Sequence, residues 1–301
     1  MQNLSIPAIP AINSEENCLK FIDLFAGIGG FHIALHDLGL ECVFASEWDT
    51  NARKTYKHNH VKRSPELFES DNFAGDITQI DPAEIPDFDI LCAGFPCQPF
   101  SQAGFKKGFE ESRGTLFFNI VNILKEKKPQ AFFLENVRHL LKHDSGNTFS
   151  TIKRIIEEDL GYSFFYKIIK ASDFGLPQHR ARLIMVGFRD HSDFEFPEPV
   201  ELKSSMSDIW GGICSKEIGY TLRVGGRGSK ITDRRNWDSY NVDGKIRQLS
   251  HKEGLKMQGF PDCFSFPVSE TQSMKQLGNS VAIPVIKSVA NSLVQKIKQT
   301  I

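Results

Sequence analysis

The sequence predicts an α/β fold that is joined to a smaller, loop-rich domain with β structure. Over residues 19–188, short apolar runs alternate with amphipathic helical stretches, a pattern typical of a parallel sheet covered by helices on both faces. After Phe188, prolines, glycines and short alternating runs replace these units, and such a shift indicates a domain boundary. We therefore expect one domain to comprise residues 1–189 and 269–301, and the other to comprise residues 190–268.

The composition is that of an ordinary soluble protein. Of the 301 residues, 40% are hydrophobic and 24% are charged, and the formal net charge is −1, so any nucleic-acid surface must be local. Residues 1–17 lack the basic flank and apolar core of a signal peptide, and no apolar run is long enough to cross a bilayer. The six cysteines show no metal-site spacing. We expect a cytoplasmic protein without a metal, a disulfide framework or a membrane partner.

The elements follow one another as strand and helix units. Strands are predicted over 19–24, 42–45, 88–93, 131–134 and 183–188, because each is a short apolar run bounded by turn residues. Helices are predicted after the glycines of 26–30, around 116–124, over 148–160 and over 283–301, because apolar residues recur there at helical spacing.

A glycine-rich turn after the first strand indicates a cofactor site. Gly27 and Gly29 leave room for close approach of a ligand to the backbone. His32 stands where the third glycine of the dinucleotide fingerprint is expected, which argues against a nicotinamide enzyme. Glu47, about 20 residues further on, could accept from ribose hydroxyls, and Trp48 could stack on an adenine. Taken singly, these residues could be a tight turn, a solvated carboxylate and a core aromatic; together they predict an adenosine-type cofactor without a pyrophosphate.

Two strand ends carry side chains suited to chemistry. Cys97 lies in a turn just past the strand at 88–93, and Glu135 follows the strand at 131–134. Parallel strands present their carboxyl ends at one edge of a sheet, so we expect the thiol and the carboxyl group to lie close together. The alternative for Cys97 is a small buried hydrophobic residue, the commoner role of a lone cysteine.

Eight short motifs, in this order, resemble those of DNA (cytosine-5)-methyltransferases. They are residues 23–30 (DLFAGIGG), 47–49 (EWD), 75–78 (GDIT), 96–98 (PCQ), 135–137 (ENV), 178–182 (QHRAR), 257–261 (MQGFP) and 278–281 (GNSV). The resemblance covers nearly the whole chain and is greatest to small bacterial enzymes that accompany restriction systems. It implies a Rossmann-like domain that uses S-adenosylmethionine, with a small target-recognition domain.

The resemblance implies a covalent mechanism at cytosine. Cys97 would add to carbon 6 of the base, which makes carbon 5 nucleophilic. Glu135 would face ring nitrogen 3 and the exocyclic amine, and its apolar approach would favour the protonated acid. Arg180 and Arg182 would hold the base oxygen, the alternative for both being a phosphate contact or a surface salt bridge.

The resemblance also assigns the cofactor site residue by residue. Those surrounding the methionine part, the ribose and the adenine would be Asp23, Phe25, Gly27, Gly29, Glu47, Trp48, Asp76, Ile77, Pro96, Asn279 and Ser280.

For DNA, the resemblance implies that the target cytosine is flipped out of the duplex under a mobile lid over 98–115, which includes Ser101. The alternative for this segment is a disordered surface loop. Eight Lys or Arg residues against four Asp or Glu residues over 216–247 suit a polynucleotide, with a solvated face as the alternative. The DNA-contacting residues would be Ser101, Thr221, Arg223, Arg227, Arg234 and Arg235. We expect double-stranded DNA as the partner, a monomer, and a cognate endonuclease acting independently.

Two rival functions stay open from the sequence. The family has a branch that acts on tRNA with the same catalytic framework, and a basic loop does not separate a flipped DNA base from an RNA loop. The other rival is a binding protein of the same fold that has lost its catalytic activity, since fold alone does not establish function. Such a protein would be expected to lack Cys97 or Glu135, and this chain has both.

Overall fold

A computed structural model describes residues 18–96, 116–190 and 193–300. Its centre is a seven-stranded sheet in the order β3-β2-β1-β4-β5-β7-β6. The strands are β1 (Lys20–Leu24), β2 (Glu41–Ser46), β3 (Phe73–Ala74), β4 (Ile90–Gly94), β5 (Ala131–Val137), β6 (Ser163–Lys170) and β7 (Ala181–Phe188). Strands β1 to β5 are parallel, whereas β7 runs antiparallel to both β5 and β6. The expectation of a purely parallel sheet is therefore wrong at β7.

Nine α-helices fall within the described residues. They are α1 (Gly30–His36), α2 (Thr50–His60), α3 (Pro65–Glu69), α4 (Leu116–Lys127), α5 (Asn147–Arg154), α6 (Met206–Trp210), α7 (His251–Gln258), α8 (Glu270–Asn279) and α9 (Ile283–Thr300).

The sheet separates two apolar layers. Ile90 and Cys92 of β4 face the layer that contains α1 and α9, and Leu91 and Ala93 face the layer that contains α4 and α5. Successive side chains of a strand point to opposite faces, so a strand covered on both sides must be apolar at every position. This explains why the strands read as unbroken apolar runs, and it confirms the predicted α/β class.

The last helix covers one face of the sheet, as its apolar stripe predicts. Ile286, Val289, Leu293 and Ile297 are all buried, and Pro284 occupies the first turn, where a missing N–H is tolerated. The helical stretch Glu270–Gln299 is long and apolar enough to cross a membrane, but 67% of its most apolar window is buried inside the protein. That degree of burial is what a core helix shows.

The region after β7 is built mostly from loops around a small hairpin. The hairpin strands are β8 (Ser239–Val242) and β9 (Lys245–Gln248). Trp237 and Tyr240 are fully buried there and belong to the same apolar cluster as Met257 and Leu277 of the helices that follow. The loop-rich region therefore packs against the segment that returns to the sheet.

Two local predictions differ from the structure. The predicted helix over 148–160 is α5 followed by a π-helical stretch, Ile155–Asp159. Strand β6 was not predicted, because it is an edge strand with a mixed burial pattern and so lacks the apolar run of the central strands.

Candidate active site

A cavity of about 790 Å³ opens at the carboxyl ends of the parallel strands. This is the edge at which open α/β sheets bind ligands. Its lining brings together thirteen of the predicted site residues: Phe25, Gly27, Glu47, Trp48, Asp76, Ile77, Pro96, Glu135, Arg180, Arg182, Thr221, Arg223 and Asn279. Six other predicted site residues lie among the described residues but do not line the cavity: Asp23, Gly29, Arg227, Arg234, Arg235 and Ser280. Cys97, Ser101 and the predicted lid lie outside the described residues.

The two glycines of the turn after β1 have different reasons to be glycine. Gly27 has φ +57° and lines the cavity, and a Cβ there would meet no atom of the described residues within 4 Å. Gly29 has φ +84°, and its Cβ would lie 2.1 Å from Nε2 of His60. Gly27 therefore leaves space for a ligand, whereas Gly29 leaves space for a protein side chain. Close approach of a ligand to Gly29 stays a prediction.

Glu47 is held rigidly at the cavity wall. Its Oε2 accepts from the backbone N–H of Gly27 and its Oε1 accepts from that of Asp49, both at 2.8 Å. Burial raises the pKa of Glu47, and the two backbone amides oppose the shift. Glu47 is only 8% exposed, so the reading of it as a solvated carboxylate is wrong. Each oxygen keeps a lone pair that could accept from a ribose hydroxyl.

Trp48 is 81% exposed although it is the largest apolar side chain of the cavity wall. The alternative that it is a core aromatic is wrong. Exposed aromatic surface at a cavity mouth suits the planar face of a ligand.

Asp23 lies inside the protein rather than on the cavity wall. It is 1% exposed, and neither carboxylate oxygen has a hydrogen bond of normal geometry within the described residues. Burial raises the pKa of Asp23 well above its ordinary value, partly opposed by the backbone N–H of His32 nearby. Direct contact of Asp23 with a cofactor stays a prediction.

Glu135 and Arg182 form an ion pair across two strands. In the antiparallel pairing of β5 with β7, Glu135 lies opposite Ile184. Arg182, two residues away, is therefore its diagonal neighbour on the same face. Arg182 Nε lies 2.9 Å from Glu135 Oε1, yet the angle does not make a hydrogen bond, and Oε1 is otherwise unpartnered in the described part of the chain. Both side chains line the cavity and keep atoms that can form further hydrogen bonds.

Asn136 braces the turn that leads to Cys97. Its Nδ2 donates to the carbonyl of Phe95 (2.9 Å), and its Oδ1 accepts from the backbone N–H of Val137 (2.8 Å). The residue is 2% exposed. The sequence does not predict a role for Asn136, although the residue stands within the ENV motif; the role follows only from its contact with Phe95, which precedes it by 41 residues and lies just past β4.

Arg180 differs from Arg182 in that its Nη1 and Nη2 donate to carbonyls of distant segments, whereas Arg182 pairs with Glu135 and, among the described residues, donates only to the neighbouring carbonyl of Ala181. Its guanidinium donates to the carbonyls of Leu222 (3.4 Å), Gly278 (3.3 Å) and Ser280. Burial lowers the pKa of Arg180 to about 9, and the charge of Arg182 adds to the shift. Arg180 therefore joins the start of β7 to both the loop-rich region and the end of α8.

Contacts around Asn279 and Thr221 complete that junction. Thr221 Oγ1 donates to the carbonyl of His179 at 2.5 Å. A Cβ on Gly278 would lie 2.5 Å from the backbone of Arg223, so glycine is needed for the two segments to meet. Asn279 lines the cavity, whereas Ser280 Oγ donates to the carbonyl of Leu277 (3.0 Å) behind it.

The predicted DNA-contacting arginines have different environments. Arg223 lines the cavity. Arg227 donates to the carbonyl of Leu249 (2.6 Å) and lies 3.6 Å from buried Asp238. Arg234 is exposed, and Arg235 is 74% exposed and pairs with Asp233.

These features fit an adenosyl cofactor. The empty volume at Gly27 and the two oxygens of Glu47 lie on one wall. Ser46 Oγ, also on the lining, is buried without a hydrogen-bond partner among the described residues. Within the same residues, no group of three or more His, Cys, Asp or Glu could hold a metal ion.

Comparison with known families shows to which family the chain belongs. The family model described as C-5 cytosine-specific DNA methylase matches residues 19–224 and 215–295. The chain belongs to this family. It is a DNA cytosine-5 methyltransferase, with S-adenosylmethionine implied as the methyl donor and DNA as the substrate.

Curated relatives cover almost all of the chain. It is 42% identical to the type II methyltransferase M.SsoII of Shigella sonnei, over 95% of this chain and 82% of that protein. It is 39% identical to the type II methyltransferase M.HhaI of Haemophilus parahaemolyticus, over 91% of this chain and 94% of that protein.

Solved structures confirm the fold. A putative DNA modification methyltransferase encoded within an Escherichia coli prophage has a TM-score of 0.69 at 20% identity, covering 93% of this chain and 99% of that one. A DNMT2 protein of Spodoptera frugiperda has a TM-score of 0.69 at 21% identity, covering 92% and 99%.

Proposed function

We propose that this enzyme methylates carbon 5 of a flipped-out cytosine in a short specific DNA sequence, as the modification enzyme of a type II restriction-modification system. One observation carries the proposal: a single cavity joins the glycine turn and Glu47 to the Glu135–Arg182 pair. A methyl donor bound at the turn would thus lie beside a base held by the pair.

Cys97 is the proposed nucleophile. It follows Pro96, which lines the cavity beside Gly94, and Gly94 is the register partner of Glu135. The Cys97 thiolate forms a bond to carbon 6 of cytosine, and the electron pair of the carbon 5–carbon 6 double bond becomes available at carbon 5.

Glu135 and Arg182 are proposed to stabilise that addition. Glu135 forms a hydrogen bond with ring nitrogen 3 as electron density builds up there, and Arg182 donates to the base oxygen, so both act where charge develops. S-adenosylmethionine, when bound, would supply the electrophilic methyl group to carbon 5 and leave as S-adenosylhomocysteine. Water, the proposed base, then takes the proton from carbon 5, which expels the Cys97 thiolate and restores the aromatic ring.

Five predicted residues carry the proposed cofactor contacts most directly. Gly27 admits the cofactor to the backbone, Glu47 accepts from the ribose, and Trp48 covers one adenine face. Asp76 and Ile77 lie at the adenine edge of the same cavity. Phe25, Pro96 and Asn279 complete the wall, and Asp23, Gly29 and Ser280 would act from behind it.

Asn136 and Arg180 are proposed as positioning residues. Asn136 fixes the turn before Cys97 through the Phe95 carbonyl. Arg180 donates to the carbonyl of Gly278, next to the proposed cofactor contact Asn279, and to the carbonyl of Leu222 in the proposed target-recognition domain. Neither residue needs to touch the base for its loss to misplace the reacting groups.

Residues 190–268 form the proposed target-recognition domain. Arg223 at the cavity and the exposed pair Arg234 and Arg235 are the proposed contacts to guanine or phosphate, while the protein partners of Arg227 favour a bracing role. We further propose a cytoplasmic monomer whose cognate endonuclease acts independently. The RNA-acting alternative is not favoured, because the relatives near 40% identity are type II methyltransferases.

The direct test is transfer of a tritiated methyl group to unmethylated duplex DNA by purified protein. We expect Cys97→Ala to abolish transfer and Cys263→Ala, which alters an exposed cysteine, to leave it intact. Full turnover by Cys97→Ala would remove Cys97 as the nucleophile, and transfer to RNA but not to DNA would overturn the substrate.

A further inference from the structure

Two buried histidines lie directly beneath the glycine turn. The rings of His32 and His60 stack with centroids 4.3 Å apart and planes 18° from parallel, and both residues are at most 1% exposed. His32 is held at both ring nitrogens, by Tyr56 Oη at 2.7 Å and Ser64 Oγ at 2.9 Å. The orientation of the stacked pair is therefore fixed from the His32 side.

His60 contacts the turn through its ring edge. Its Nε2 lies 3.1 Å from the carbonyl oxygen of Ile28. Because a carbonyl oxygen can only accept, Nε2 must carry the proton. Nδ1 is then an acceptor, and it is buried with no partner among the described residues. Burial also lowers the pKa of His60 to about 3, so the imidazole is neutral at physiological pH.

The same edge of His60 shapes the turn sterically. A Cβ on Gly29 would lie 2.1 Å from Nε2, so the backbone of Gly29 rests against the ring. On the opposite side of the turn, the backbone N–H of Gly27 donates to Glu47 Oε2. The turn is thus held from two directions, by the carboxylate of Glu47 and by the imidazole of His60.

A column of rings continues from His60 to the adenine side of the cavity. The ring of Tyr56 lies 4.5 Å from that of His60 and stacks on Phe73 at 4.6 Å. The guanidinium of Arg53 lies 4.4 Å above Phe73 and donates to the carbonyls of Glu47 and Phe73, each at 3.1 Å. The column therefore contacts the glycine turn through His60 and the carbonyl of Glu47 through Arg53, and it includes Phe73 of β3, the strand that precedes Asp76.

The need to fill space in the core does not explain why residue 60 is a histidine. A phenylalanine would occupy similar space without burying a nitrogen that has no partner, and burial of an unsatisfied polar atom is unfavourable. What the imidazole adds is the N–H that meets the carbonyl of Ile28, a residue on the cavity lining.

We propose that His60 is a positioning residue for cofactor binding: its imidazole, stacked on His32, donates to the Ile28 carbonyl and holds the glycine turn in the shape that accepts S-adenosylmethionine. This inference rests on the proposed function, which places the cofactor at that turn.

The test compares three variants by calorimetric titration with S-adenosylmethionine in the absence of DNA. His60→Phe keeps the ring and removes the donor, whereas His60→Gln keeps an N–H near the Nε2 position. His58→Phe alters an exposed histidine two residues away on the same helix. We expect His60→Phe to raise the dissociation constant at least tenfold, His60→Gln to restore much of the affinity, and His58→Phe to match the wild type.

Urea unfolding separates positioning from loss of stability. We expect the unfolding midpoint of His60→Phe to stay near that of the wild type while affinity falls. Equal affinity of His60→Phe and the wild type would overturn the inference, and so would a fall in affinity that simply follows a fall in the midpoint. Failure of the wild type to bind the cofactor would count against the proposed function instead, and would remove this inference with it.

A second measurement needs no variant. Nitrogen-15 NMR of the wild-type protein reports which nitrogen of each histidine carries the proton. A neutral His60 protonated at Nε2, with and without S-adenosylmethionine, supports the inference. Protonation at Nδ1 would overturn it, because Nε2 could not then donate to Ile28.

Discussion

Gly27→Ala and Gly39→Ala form a matched pair that isolates cofactor binding from backbone strain. Both glycines have positive φ, +57° and +84°, and within the part of the chain that the structure describes a Cβ on either would meet no atom within 4 Å. Alanine in the left-handed region costs roughly 1–2 kcal/mol, and the lower entropy of the unfolded alanine variant returns about 0.4–1 kcal/mol. We therefore expect both variants to lose about 1 kcal/mol of unfolding free energy, measured with urea.

The two variants should differ in cofactor affinity. Gly27 lines the cavity, whereas Gly39 lies in the turn between α1 and β2. A methyl group on Gly27 would occupy the volume proposed for the cofactor, so we expect its dissociation constant for S-adenosylmethionine to rise at least about tenfold, or ~1.4 kcal/mol. Gly39→Ala should bind like the wild type. Equal affinities of the two variants in calorimetric titration would refute the placement of the cofactor at this turn.

Three further predictions concern catalysis and pH. Arg182→Ala should lower the single-turnover rate of methyl transfer by about 100-fold or more and leave cofactor affinity unchanged; an unchanged rate would remove Arg182 from the base site. Asn136→Ala should lower that rate and leave cofactor affinity near the wild-type value, because it frees the turn before Cys97; weakened cofactor binding with a normal rate would contradict this role. Burial lowers the pKa of His60 from 6.5 to about 3, so between these values the unfolded chain binds a proton that the folded protein does not. The unfolding free energy should therefore fall as pH falls, by up to ~1.4 kcal/mol per pH unit from this residue, and urea titrations at pH 7 and pH 5 should show a shallower fall for His60→Phe; identical slopes would contradict the shift.

Much of the cofactor wall could be predicted because it depends on local order along the chain. A strand, a glycine turn and an acidic residue after the next strand are adjacent elements, and parallel packing brings their ends together. Gly27, Glu47 and Trp48 accordingly lie on one cavity. The distinction between Gly27 and Gly29 could not be predicted, because it depends on where the His60 ring packs.

The residues proposed to bind the cytosine base are brought together by the order and direction of the strands more than by local order along the chain. The motifs include Glu135 and Arg182, but the two side chains pair because β7 runs antiparallel beside β5. Local periodicity in the sequence does not predict that order of strands. The same holds for Arg180, whose acceptors lie 42 to 100 residues further along the chain. The sequence did not predict the roles of Asn136 and His60, because each contacts a backbone carbonyl of a distant segment. Every residue has such a carbonyl, so the sequence does not show which one a side chain will contact.

The central claim is sequence-specific methylation of cytosine in DNA through Cys97. Its most direct test is bisulfite sequencing of genomic DNA from a methylation-free bacterial host that expresses this chain, beside a host that expresses Cys97→Ala. The account predicts new 5-methylcytosine confined to one short motif in the first host and none in the second. Soluble, cofactor-binding protein that leaves no mark on the DNA, or an equal mark from Cys97→Ala, would contradict it.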